Sequence, residues 1–237
     1  MEDNLDDNAQ GISLFGQFMF QATGIHGPVL GPIGSLVLDV VLLGIVFWTL
    51  LSSTKRRTSD IILFASIIAG VSLLRVVMTP LPNIQPVTIA ALLVGAQLGA
   101  KRGVSFAILV TMISNFIIGN GIWTLYQAMG WSIVAIIGAN AKLVVSNQIN
   151  FKRLFALSIF SAFLFDIIVS FSIIDGSIGL NQFMIYLANG IPYDLMHALG
   201  NLTFAAWFSS WFVRVLQYQP TLEEIEVAVV EGYVIES

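Results

Sequence analysis

The chain contains no cysteine, only two histidines and only 10% charged residues in its 237. Without cysteine there is no disulfide framework and no thiolate metal site, and redox chemistry says nothing about the compartment. A charged fraction this low stands far from the roughly 25% of soluble domains. No Gly-x-x-x-x-Gly-Lys-Ser/Thr occurs, so the chain has no P-loop to cradle ATP phosphates. Nor does it carry a Gly-x-Ser-x-Gly elbow or a His-Glu-x-x-His zinc motif. The expectation is a protein that is not itself an enzyme, needs no cofactor and holds no metal. Any ATP-driven work then falls to other subunits.

What the chain has in abundance is apolar sequence. Hydrophobic residues make up 57%, the mean hydropathy is +0.87, and apolar runs are long enough to cross a bilayer at about 20 residues per span. The net charge of −4 is concentrated at the ends. Glu2, Asp3, Asp6 and Asp7 lie at one terminus, and Glu223, Glu224, Glu226, Glu231 and Glu236 at the other, so no nucleic-acid surface is implied.

Glycine, proline and charge clusters punctuate the apolar runs. The pattern predicts an all-α polytopic bundle with helices at about 34–53, 59–79, 86–100, 102–119, 123–141, 153–174 and 183–216. Residues 1–33 form an acidic, glycine-rich extension containing His26, and 217–237 an acidic tail. Gly11 to Leu30 would lie on the outer surface or be loosely ordered. The first apolar run begins too late and lacks a basic leader, so it reads as a mature helix rather than a signal peptide. Lys55, Arg56 and Arg57, then Lys101 and Arg102, then Lys142, Lys152 and Arg153, and finally Arg214 all fall at alternate ends of the spans. The intervening gaps Thr79 to Gln85, Gly119 to Thr124 and Asp175 to Gln182 carry no Lys or Arg. By the positive-inside rule the basic side is cytoplasmic, which puts the N-terminus outside and the C-terminus inside a cell membrane. The third and fourth spans are short and should form a tight hairpin at Gly99-Ala100-Lys101-Arg102-Gly103. Pro192 should kink the last segment or start its true span, leaving 183–190 as an outer lid helix.

Charges inside a bilayer cost at least about 2.5–3.5 kcal/mol at mid-depth, so Arg75, Asp166, Asp194 and His197 each require a reason. Asp194, His197 and Asn201 share one helix face with Gly190. Three readings fit. In the first, Arg75 pairs with Asp166 or Asp194 in a structural network to which Asp166 and Asn201 belong. In the second, the face lines a solute site. In the third, Asp166 and Asp194 form a protease-like dyad. The outer gaps favour the solute site: Pro80, Pro82 and Pro86 stiffen a loop bearing Asn83 and Gln85. Across from it Asn115, Asn120, Trp123, Thr124, Tyr126, Gln127 and Trp131 gather around a glycine turn. Amides beside aromatic rings suit a flat, hydrogen-bonding ligand.

The run Arg75 to Thr88, then Ser114-Asn115-Phe116 with Gly119, Gly121, Trp123-Thr124 and Gln127, then Pro192 to Asn201, resembles the substrate-specific S component of energy-coupling factor (ECF) vitamin transporters. Within that family it is most similar to a cobalamin-type branch with a Pro-Asn-Val-Gln-Pro loop. The resemblance implies a six-helix substrate-binding core over 59–216, with the helix at 34–53 as an addition outside it. It also implies a vitamin or related micronutrient as ligand, a corrinoid first, captured from outside under the loop Thr79 to Gln85. Arg75, Asn83, Gln85, Asn115, Trp123, Gln127, Asp194 and His197 would contact it. The implied partners are a transmembrane T component, touched through Ala65 and Ala69, and two ABC ATPases. Asp39, in the additional helix, has no role in this scheme.

Overall fold

In the computed structural model the residues described are 20–24, 27–52, 58–146, 148–174 and 178–217. The acidic extension before residue 20, His26, Lys55 to Arg57, Asp175 and the tail beyond 217 lie outside them.

Seven α-helices make up most of the described chain. Two short strands precede them, β1 (Phe20–Gly24) and β2 (Gly27–Leu30), paired antiparallel. A hairpin stands where a surface-lying or loosely ordered segment was expected. Helix α1 (Pro32–Leu51) follows directly, started by a proline in its first turn, where a missing N–H costs nothing. Only a narrow stripe of α1 is buried: Gly34, Leu38, Leu42, Val46 and Thr49 recur every three or four residues. Leu38, Leu42 and Val46 join Leu30, Ile108 and Ala128 in a small cluster, and Thr49 Oγ1 bonds Ser105 Oγ at 2.7 Å. The remaining faces present Leu36, Phe47 and Trp48 outward, each more than 60% exposed.

Helix α2 (Thr58–Val77) leads through the proline loop into α3 (Val87–Ile118). The two spans expected at 86–100 and 102–119 are the limbs of α3, which breaks at Gly99 with φ 83°. Only glycine takes that conformation without strain. The limbs fold back on each other, since a Cβ on Gly103 would stand 3.1 Å from Gly95 Cα. The first limb is the centre of the molecule. Val87, Ile89, Ala90, Ala91, Leu92, Leu93 and Val94 are all fully buried, the all-round apolar pattern of a helix enclosed by others. Helix α4 (Trp123–Asn140) packs on the first limb through small residues, because a Cβ on Gly95 would meet Ala135 O at 2.0 Å and one on Gly138 would meet Leu92 O at 2.1 Å. Such contacts let helix backbones approach closely where lipid supplies no hydrophobic drive.

A two-residue hairpin, β3 (Val144–Val145) with β4 (Gln148–Ile149), joins α4 to α5 (Phe151–Ser170). Asn150 caps α5 by accepting from Arg153 N at 3.1 Å. After a 3₁₀ turn at Phe171–Ile173 come α6 (Leu180–Trp207) and, past Phe208, α7 (Ser209–Gln217). Here the expectation needs correction. Helix α6 runs through Pro192 without interruption, so 183–190 is the first part of α6 and not a separate lid. The proline removes one donor, that facing the Ala188 carbonyl, and membrane helices accommodate such a loss through neighbouring groups.

Four described helices are long and apolar enough to cross a membrane: 32–51, 60–77, 87–118 and 151–173. The outward faces agree, with Phe116 90%, Leu180 75% and Trp207 76% exposed, a coat that water would not tolerate. At one end of the bundle the basic residues gather. Lys101 Nζ donates to Ser52 O at 3.1 Å, Arg153 Nη1 donates to Ala141 O at 3.3 Å, and Arg102 borders a cleft with Asp60, Leu98 and Leu216.

Candidate functional site

At the opposite end, under the proline loop, two polar clusters meet. Arg75 stands near the end of α2 and is only 3% exposed. Its Nη1 donates to Asn115 Oδ1 at 2.7 Å and to Ser114 Oγ, both on the second limb of α3. Its Nε donates to Gln85 Oε1 at 3.1 Å, from the loop, and its Nη2 to Gln127 Oε1 at 3.2 Å, from α4. The Trp131 ring lies against the guanidinium, 4.9 Å from Cζ to centroid, a cation–π contact. Asn115 extends the cluster, its Nδ2 donating at 2.8 Å to both Thr124 Oγ1 and Gln127 Oε1. Thr124 in turn donates to Asn120 Oδ1 at 2.5 Å.

The second cluster hangs on His197. Its Nδ1 meets Asp166 Oδ2 at 2.9 Å, joining α6 to α5, and Asp194 stands beside the same Asp166. Its Nε2 meets Thr88 Oγ1 at 2.9 Å. Trp131 Nε1 donates to that same hydroxyl oxygen at 3.2 Å. An indole N–H can only donate, so Thr88 accepts from Trp131, and the imidazole tautomer sets which partner donates in its bond to His197. Phe165 closes the gap between the clusters, stacked on Trp131 at 4.3 Å and edge-on to His197 at 5.5 Å. Trp131 thus touches both: its face serves Arg75 and its N–H serves Thr88.

The expected pairing of Arg75 with Asp166 or Asp194 is not what the fold makes. Among the described residues the single side-chain ion pair joins His197 to Asp166, while every bond of Arg75 ends on a neutral oxygen. The reason lies in placement: Arg75 faces the second limb of α3 and α4, whereas both acids face His197. The structure brings Arg75, Gln85, Asn115 and Gln127 into one cluster and Asp166, Asp194 and His197 into another. Asn83 sits on the loop at φ 57°, a left-handed conformation asparagine tolerates. Its Nδ2 donates to Tyr193 O at 3.3 Å, tying loop to α6. Ile84 beside it fits against Gly200, where a Cβ would lie 3.2 Å from Ile84 Cα. Trp123 lays its ring on Gly121 at the start of α4. Asn201 is a turn below His197 and fully buried, its Nδ2 on Ser158 O at 3.1 Å and its Oδ1 without a partner. Ala65 and Ala69 are exposed on α2.

Thr88, Ser114, Phe165 and Tyr186 were not singled out as site residues by the sequence. Thr88 and Ser114 lie inside the motifs yet look like ordinary helix residues. Tyr186, within electrostatic reach of Asp166 and Asp194, stands eight residues before Asp194, so the helical period of α6 could have found it.

The model of one protein family, DUF6580, described as a family of unknown function, matches residues 55–222. No curated protein and no solved structure matches the chain.

Proposed function

Given that the chain belongs to the DUF6580 family, whose matched region takes in both clusters but not α1, we propose that it is a membrane-embedded solute-capture subunit of the S-component kind. One observation carries this reading: a buried arginine and three primary amides converge at the proline loop, at the basic-poor end of an apolar bundle. Seven segments cross the membrane with the N-terminus outside and the C-terminus inside, the loop Thr79 to Gln85 facing the exterior. A solute enters there. Arg75, Gln85, Asn115 and Gln127 supply polar contacts, Trp123 stacking, and Asp194 and His197 a second polar wall, with Asn83 fastening the loop to α6. Inward release requires partners, because a binding protein alone can only shift an equilibrium. A T component docking on Ala65 and Ala69 with two ABC ATPases fills that role, and the exposure of both alanines supports it.

The test is small-molecule mass spectrometry of the detergent-purified chain, produced in medium supplied with a vitamin mixture that includes cobalamin. A stoichiometric vitamin, lost in His197→Ala and Gln127→Ala, is the expected result. An empty protein that also fails calorimetric titration with the same mixture overturns the proposal.

A specific contact favours a second reading. The proximity of Asp166 and Asp194 is that of a carboxyl dyad, which could activate water for intramembrane hydrolysis. His197 on Asp166 distinguishes it from a simple dyad. Asp194→Asn separates the two: a hydrolase loses all turnover, while a capture subunit keeps weakened binding.

A further inference from the structure

Resting on the capture reading, we infer that the solute is an organic oxyanion, a carboxylate or phosphate ester, held two-pronged by the Nε/Nη2 edge of Arg75. The guanidinium is an uncompensated charge in the apolar bundle. Asp166 is taken by His197, with Asp194 beside them, and the four N–H bonds of Arg75 end on a serine hydroxyl and three amide oxygens. Removing one ion from water costs several kcal/mol even after relaxation. Neutral donors could hold three amides without that cost, so the charge answers to a group that arrives from outside.

The two edges of the guanidinium are built differently. Nη1 is anchored to Ser114 and Asn115, which are 0% and 1% exposed. Nε and Nη2, the parallel pair that grips a carboxylate side-on, hold only the ends of two glutamines at 3.1 and 3.2 Å. Gln85 and Gln127 are both part-exposed and have long, rotatable side chains. They occupy the two positions that the oxygens of one anion would take. When an anion displaces them, each amide can turn its NH₂ toward the newcomer. Gln85 belongs to the proline loop, so the displacement frees the loop from Arg75 and lets it close on the ligand instead. Trp131 beneath the guanidinium holds its plane fixed.

The test titrates the purified full chain by thermal shift and calorimetry with matched probes: nicotinate and nicotinamide, pantothenate and panthenol, biotin and biotinamide, riboflavin 5′-phosphate and riboflavin, with cyanocobalamin alongside. Native mass spectrometry of the protein as isolated identifies any ligand already bound. The expected result is an anionic ligand whose neutral counterpart binds at least about 30-fold more weakly, as for truncating a buried charge pair. A carboxylate or a phosphate is then distinguished by which pair responds. Gln127→Glu places a carboxylate on the fork from within; it should raise the melting temperature of the empty protein and abolish anion binding. Arg75→Gln should lose binding too, but Gln127→Glu remains informative if that variant fails to fold. Equal binding of a charged and neutral pair, or selective binding of cyanocobalamin, overturns the oxyanion inference and leaves capture standing. A protein that is empty as isolated and binds no probe overturns capture and the inference with it.

Discussion

Thr88 is the smallest group on which both clusters depend. Its hydroxyl takes the Trp131 N–H and meets His197 Nε2 in a buried site, so replacing it strands two polar atoms. Thr88→Val keeps the shape and should cost about 1–3 kcal/mol, seen as a lower melting temperature in detergent, with Thr88→Ser restoring most of it. An unchanged melting temperature would mean the two clusters do not depend on that bridge. At this scale the sequence revealed which residues matter better than what they bind. Arg75, Asp166, Asp194 and His197 announce themselves because intramembrane charges are rare. Their partners do not, because pairing depends on which side of each helix faces which neighbour. Attraction of opposite charges suggested Arg75 with an aspartate, yet helix rotation sets Arg75 against amides and Asp166 against His197.

Among the elements, the joint between α3 and α4 bears the tightest packing. Gly138→Ala puts a methyl 2.1 Å from Leu92 O, a clash with backbone that no rotamer relieves. The expected loss is about 1–3 kcal/mol or more, read as a fall in melting temperature or in yield of folded protein. Gly44→Ala, with nothing within 4 Å of the added atom, is the matched control and should change neither. Helix positions were legible because apolar runs of span length between charge clusters have few other solutions. The break at Gly99 was legible too, from two glycines around a basic pair. The β1–β2 hairpin was not, since Phe20 to Thr23 alternate over only four residues and the partner Gly27-Pro28-Val29-Leu30 does not alternate at all. Pro192 misled for a physical reason: proline disfavours a helix interior in water, but a bundle in lipid can hold one within a continuous helix.

For the whole molecule, the absence of cysteine is an experimental advantage. Single cysteines at Leu81 and Asn120 should react with an impermeant maleimide added to intact cells, and those at Ser52 and Lys142 only after permeabilisation. The reverse pattern would invert the orientation; mixed labelling would break the seven-span count. Ala65→Trp and Ala69→Trp should leave solute binding intact and prevent copurification with a T component, and survival of the complex would make that face ordinary lipid contact. One proportion of the bundle reaches further. Helix α2 has 20 residues and is about 30 Å long, whereas the first limb of α3, 87–98, measures about 18 Å. Both are level at the basic end, where Asp60 and Leu98 border one cleft. The proline loop therefore descends about 12 Å to meet the limb, and backbone at such depth is tolerated where it is enclosed by protein or lines a watery recess. In the proposed orientation the insulating layer over the site is thin, and most of the transmembrane voltage would fall across the remaining stretch below Arg75. Occupation of the site from outside should then be nearly indifferent to membrane potential, and voltage should act only on the passage beyond it.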